Sequence, residues 1–261
     1  MVYKGRKIKS SHALKLNRGA IVTVRIKCLQ CAVRRIAPCG AVSPETANEL
    51  ARIVHRRRIP AGQIINNAPN QAQTFSIIVS GVVKIVDEQT DGHTQIVGLQ
   101  FPSEFVGRPY ANSAKFLAEA ATDLEVCSFV GPAFENLMRA HPDLELNILK
   151  RTLDDLDQAR QWMSMITRKM AEERVAGLLL FIADKLKSDE GNAAEPSNSL
   201  AFELPLSRTE FAECLNLRLE TVSRQFAALK AEGIIKTNRR RALQVCDLAE
   251  LKARAHVRIH S

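Results

Sequence analysis

The sequence predicts an α+β chain in which an antiparallel β-barrel or jelly roll is followed by a long helix and a C-terminal winged helix-turn-helix. Three observations carry that expectation. Between Arg52 and Val130, β-branched residues gather in short runs separated by turn residues. Beyond Gly131-Pro132, leucines recur at spacings of three, four and seven. Near the C-terminus, two short helical segments flank a tight turn and lead into an arginine-rich hairpin.

At 261 residues the chain is long enough for two cores, a sensing part and an effector part. Its 46% hydrophobic and 25% charged content is that of an ordinary globular protein. The boundaries read as a cysteine-containing arm over 1–50, a barrel over 51–131, a long helix over 132–170 and a winged helix-turn-helix over 171–261.

The net charge of +9 is unevenly spread, at +12 over residues 1–60, −6 over 61–160 and +3 over 161–261. A basic end favours a polyanion, a membrane surface or plain solvent, and charge alone does not choose among them. The longest apolar run, Val175 to Ala183, has nine residues and cannot cross a bilayer; Ala20 to Val24 is too short for a secretory core. Six cysteines in a chain of this size make no disulfide framework. The expectation is a soluble cytoplasmic chain with no membrane partner. No enzyme is expected, because the sequence holds no radical-type cysteine motif, no Gly-rich nucleotide loop and no nucleophile, base and orienter set. The six histidines are scattered, and His55, His93 and His141 read as surface residues.

The arm shows little periodicity except for a short helix after Ser43-Pro44-Glu45, where Ser43 can cap and Pro44 can take the first position. Phe75 to Val79, Val82 to Val86, Gln95 to Leu99 and Leu124 to Phe129 read as strands, with Ser80-Gly81 and Asp91-Gly92 at turns. The helix after Pro132 is expected to run to Met170. Its stripe of Leu146, Leu149, Leu153, Leu156 and Met163 is nearly heptad and can pack on its own domain or on a second copy, the homodimer being the favoured reading. Asp154, Asp155 and Asp157 crowd the same turns, and Arg160 interrupts the apolar run. A further helix over Ala171 to Lys187 precedes an exposed polar loop, Ser188 to Ser199.

Ser207 is followed three residues later by Glu210, the signature of a capping box that starts a helix ending at Leu215. Asn216 tolerates the left-handed turn, and a second helix runs from Leu219 to Ala231 before Gly233. Glu220, Ser223 and Arg224 share one face near its leading end while Val222, Phe226 and Leu229 face the other way. That division suits a recognition helix in the major groove of double-stranded DNA, although a surface helix with a Glu and Arg pair has the same spacing. Ile234 to Lys236 and Leu243 to Val245 then flank a hairpin tip carrying Arg239, Arg240 and Arg241, residues suited to phosphate contact.

The stretch Leu219-Glu220-Thr221-Val222-Ser223-Arg224, with Leu229 to Ile235 downstream, resembles the helix-turn-helix signature of the CRP/FNR superfamily, and the order of barrel, long helix and winged helix is similar over residues 50–250. Asn216 departs from the glycine often found there. The resemblance implies a double-stranded β-helix (jelly-roll) sensor domain, a dimerisation helix and a transcription regulator that meets RNA polymerase. Leu219 stands where catabolite activators of the superfamily carry an arginine. Where those activators hold a cyclic nucleotide phosphate with an Arg-Ser pair, this chain reads Lys115 to Ala120 with Glu119, an acid that would repel phosphate, so no cyclic nucleotide is expected.

The chain instead offers Cys28-x2-Cys31-x7-Cys39 in the basic arm and Cys127 at the end of a strand, four thiols suited to a soft metal or an iron-sulfur cluster, or else scattered buried thiols. This pattern resembles the FNR branch, of the FnrN/FnrL type. The resemblance implies Cys28, Cys31, Cys39 and Cys127 as ligands of an oxygen-labile [4Fe-4S] cluster, an FNR-like inverted repeat as operator, and structural roles for Cys214 and Cys246. Assembly of the cluster would tie the arm to the barrel and so control dimerisation. The alternative is a regulator of the same fold with a structural zinc or a thiol redox switch.

Overall fold

A computed structural model describes residues 31, 33, 37–65, 74–88, 94–110, 115–189, 199–237 and 241–255. Cys28, Lys27, Arg34, Arg35, the Asp91-Gly92 turn, Arg239 and Arg240 lie outside these residues.

The arm leads into α1 (Pro44–Ile53), whose start follows the expected chemistry: the Ser43 side chain accepts from the Thr46 amide and proline occupies the first turn. The barrel comprises β1 (Val54–Ile59), β2 (Thr74–Ser80), β3 (Val83–Glu88), β4 (Thr94–Gln100), β5 (Phe105–Val106), β6 (Leu117–Ala120) and β7 (Leu124–Val130). They form two antiparallel sheets, β1-β7-β2-β5 and β4-β3-β6. Inward residues of both sheets, among them Ile59, Ile78, Val83, Val106, Ala118 and Val126, close one buried core, the arrangement expected when alternate β-branched side chains face each other across two layers. Gly81, at φ 89°, makes the β2–β3 turn; a Cβ there would stand 2.3 Å from the Asp123 carbonyl oxygen, so only glycine fits.

The long helix expected over 132–170 is two helices: α2 (Gly131–Ala140) and α3 (Pro142–Ile166). Pro142 has no amide to continue α2 and pushes His141 out of helical conformation, to φ −127° and ψ 88°, so the chain breaks there although the leucine spacing continues. Met170, exposed, falls beyond α3. Then comes α4 (Ala171–Asp189), whose Val175, Ala176, Leu178, Leu179, Leu180 and Ile182 are buried and form the centre of the C-terminal domain. Around it lie β8 (Leu200–Glu203), α5 (Arg208–Leu215), α6 (Leu219–Ala231), β9 (Ile235–Thr237), β10 (Ala242–Val245) and α7 (Leu248–Arg254), the strands ordered β8-β10-β9.

One face of α3 is buried through Leu144, Ile148, Trp162 and Met165. Between those residues Arg151 and Asp155 join a charged junction around Glu104, whose Oε1 accepts from Lys185 Nζ of α4 at 2.7 Å and lies 3.1 Å from Arg151 Nη2. Glu104 is buried, and its other oxygen accepts from the Phe101 amide at 3.0 Å. Asp155 therefore points toward the barrel and α4, and does not share the turn face of the leucine stripe as its sequence neighbours suggested. Burial pushes its carboxyl up to about 6.

Candidate nucleic-acid interface and cysteine centre

α5 begins with the full capping box, Ser207 accepting from the Glu210 amide while the Glu210 side chain accepts from the Ser207 amide. It ends at Asn216, in the left-handed conformation at φ 50° and ψ 51°. The turn delivers α6 with Val222, Phe226 and Leu229 buried and Leu219, Glu220, Ser223 and Arg224 exposed. Phe211 and Phe226 meet edge to face with ring centroids 5.2 Å apart, which fixes the crossing of the two helices. The Arg208 guanidinium stacks on Phe226 at 3.2 Å, and burial brings its pKa down to about 10.

The wing is the β9–β10 hairpin, paired Thr237 with Leu243 and Ile235 with Val245. Arg241, at φ 63°, is exposed; its Nη1 donates to the Pro205 carbonyl oxygen at 3.4 Å. A contact invisible in the sequence ties this domain to the barrel. Lys84 of β3 lies 2.7 Å from Glu210 Oε1 and 2.8 Å from Glu119 Oε1. Burial alone would lower the Lys84 pKa, but hydrogen bonds to Glu119 and Glu210 outweigh it and the net shift is upward. Glu119 is thus held in an ion pair.

On the barrel's other flank three thiols converge. Cys127 of β7 stands opposite Arg56 of β1 and Ile77 of β2. Its thiol shares a hydrogen bond with Cys31, and Cys39 lies close enough to add a like-charge effect; the Cys31 contact, then burial, pushes the Cys127 pKa far up, with Arg56 pulling the other way. None of the three is in a disulfide, and all border one apolar cluster that includes Val33, Ala37, Val42, Leu50 and Phe129. Among the described residues no three His, Cys, Asp or Glu side chains enclose a metal position. The donor chemistry nonetheless fits a soft centre: three thiols on one wall, a guanidinium beside them to offset thiolate charge, and the fourth cysteine three residues before Cys31 in the chain. Cys214 is buried in the helix-turn-helix, its thiol pushed up by burial, and Cys246 lies beyond the wing.

The exposed face of α3 carries Leu146, Leu149, Leu153, Leu156 and Met163, each 46 to 57% exposed, opposite the buried face of the same helix. Arg160 lies among them and pairs with Asp157 at 2.8 Å.

Residues 173–254 match the Crp-like helix-turn-helix domain, and residues 56–141 match the cyclic nucleotide-binding domain. The chain is 40% identical over 229 residues to a protein of Rhizobium leguminosarum bv. viciae named "Probable transcriptional activator", covering 87% of this chain and 92% of that one. It is 37% identical over 234 residues to the transcriptional activator protein FnrL of Cereibacter sphaeroides, covering 88% and 92%. It belongs to the CRP/FNR family, in the FnrL-type branch. The solved structure of FixK2 from Bradyrhizobium japonicum superposes with a TM-score of 0.64 at 25% identity, covering 77% of this chain and 96% of that one. As a CRP/FNR member the chain is a DNA-binding transcription regulator and not an enzyme, in a family whose members typically act as dimers. No helix among the described residues is long and apolar enough to cross a membrane.

Proposed function

We propose that this regulator is an oxygen-responsive activator that holds a [4Fe-4S] cluster with Cys28, Cys31, Cys39 and Cys127, and that the bound cluster favours a dimer competent to bind an FNR-like inverted repeat. The observation that carries the reading is the meeting of Cys31, Cys39 and Cys127 on one wall of the barrel, although they come from the arm and from a strand some ninety residues away. When bound, the cluster supplies an oxygen-labile cross-link between arm and barrel. Arg56 offsets thiolate charge, and the apolar residues around the thiols limit water access.

The exposed leucine face of α3 is the seam for the second copy, and Glu220, Ser223, Arg224 and Leu219 read base edges while the wing arginines Arg239, Arg240 and Arg241 follow phosphates. The expectation of no cyclic nucleotide rests on the missing Arg-Ser pair; Glu119 alternates with Ala118 and Ala120, which face the barrel core, and turns outward to Lys84 and α5. The reading places the regulator in the cytoplasm, where it would meet RNA polymerase.

The test is anaerobic purification followed by iron and sulfide analysis and a visible spectrum before and after air. Four iron and four sulfide per chain, with a visible band lost in air, are expected. Zinc without sulfide would instead assign a structural metal, and no metal with reversible thiol loss would assign a thiol switch.

A further inference from the structure

We propose that the contact between α1 and the start of α3 is the route by which the cysteine arm sets the dimerisation helix, with Thr46, His141 and Asp143 as its positioning residues. The proposal rests on the reading above that the arm holds the metal centre and that α3 is the dimer seam.

Polar bonds cross here between segments about a hundred residues apart. Asp143 Oδ2 accepts from the Ser43 amide at 2.9 Å and from the Thr46 hydroxyl at 3.4 Å. The Thr46 hydroxyl also meets His141 Nδ1 at 3.0 Å, and His141 Nε2 lies 3.1 Å from Glu49 Oε2. Asn147 Nδ2 donates to the Ala41 carbonyl at 3.2 Å, two residues beyond Cys39. Thr46 is fully buried, and its hydroxyl also meets Ser43 Oγ of its own segment at 2.9 Å, so it ties the cap of α1 to the start of α3. Beneath the polar bonds, Val42, Ala47 and Leu50 share an apolar cluster with Leu144 and Ile148 of α3, and Cys31, Cys39 and Cys127 border that cluster.

Two features make this contact directional. The break at Pro142 interrupts the helical ladder and leaves His141 as the link, its amide bonded back to Leu137 and its carbonyl accepting from Leu144 and Glu145, so what holds His141 also sets the first turn of α3. Leu144 and Ile148 lie on the helix face opposite Leu146 and Leu149, where the exposed stripe begins. A shift of α1 therefore moves the first turns of the seam as a rigid unit. The sequence reading of His141 as a surface residue missed this, because its partners are remote in the chain.

The experiment uses the full chain and two variants that touch no cysteine, Thr46→Val on one side and Asp143→Ala on the other. Iron per chain and the visible spectrum report the centre; sedimentation reports the dimer fraction with and without it; hydrogen exchange reports residues 41–50. Both variants are expected to keep wild-type iron, to lose protection of the Ser43 region, and to show a cluster-dependent gain in dimerisation smaller by roughly tenfold. Full iron with a wild-type gain in dimerisation would overturn the proposal. A variant that fails to take iron while the other succeeds is replaced by Glu49→Gln, judged by the same readouts. If the wild type itself takes no iron, the metal reading fails and the contact is judged on the metal-free chain, where the variants lower the dimer fraction if α1 holds α3 and leave it unchanged if it does not.

Discussion

Arg224, Glu220 and Ser223 stand exposed on one face of α6, so each can be tested as an individual reader of a base. Arg224 can bridge guanine O6 and N7, and Arg224→Ala should cost about 1–3 kcal/mol of discrimination at that position. Leu219, exposed at the head of the helix, is expected to favour a thymine methyl over a guanine. The expected site is TTGAT, four spacer bases and ATCAA; tighter binding to a TGTGA half-site at matched salt would count against it. Single replacement of Cys28, Cys31, Cys39 or Cys127 by alanine should abolish iron retention, whereas Cys214→Ser and Cys246→Ser should keep it, as measured by iron per chain. Full iron in Cys127→Ala would remove that residue from the set. Asp155 gives a pH test. Its carboxyl, raised by burial to about 6 from the ordinary 3.8, binds more protons in the native state than in the unfolded one across that interval. Its penalty is absent below pH 4 and complete above pH 6, so stability falls as pH rises through the window. Asp155→Asn should flatten this trend: its Tm relative to wild type should be higher at pH 7 than at pH 4.

At the scale of the element, α3 is the testable unit. Leu153→Lys or Leu156→Lys puts a charge at the centre of the exposed stripe and should convert dimer to monomer by sedimentation, with α3 still packed through Leu144, Ile148 and Trp162. Asp157 is matched within its own helix by Arg160, which leaves Asp154 as the better candidate for a charge that opposes association; Asp154→Ala should raise the dimer fraction in air. How far such elements could be read from sequence depended on where their determinants lie. The helix-turn-helix was legible because capping box, left-handed Asn216 and buried periodicity are all local. The α2–α3 break was written in Pro142 but masked by leucines that keep their spacing across it. β5, two residues long, and β1, with Arg56 to Arg58 along a sheet edge, carry almost no pattern of their own and exist because β2 and β7 pair with them. The cysteines stood out in the sequence by type and spacing, but that Cys127 lies beside Cys31 and Cys39 of the arm follows only from the folded packing, where the three border one apolar cluster.

For the whole molecule, the expectation is that cluster-loaded protein is dimeric and binds its operator while air-exposed protein is largely monomeric and binds weakly. A few kcal/mol of differential stabilisation suffices for such a shift. Ultracentrifugation at low micromolar protein, with operator affinity measured on the same samples, checks it; equal dimer fraction and affinity in both states would sink it. Barrel, α3 and the DNA-binding domain are also joined directly, through Glu104 with Arg151 and Lys185, and through Lys84 with Glu210. The second of these bears on how such proteins can be recombined. Both oxygens of Glu210 are committed, one to the start of α5 and one to a lysine of the barrel, so a residue that serves helix formation in one domain is also a socket for the other. Winged domains are then not interchangeable parts here. A chimera that grafts a winged domain without an acid at this position leaves a mostly buried ammonium with Glu119 as its remaining partner in the cluster, and the two halves would have to evolve as a matched pair.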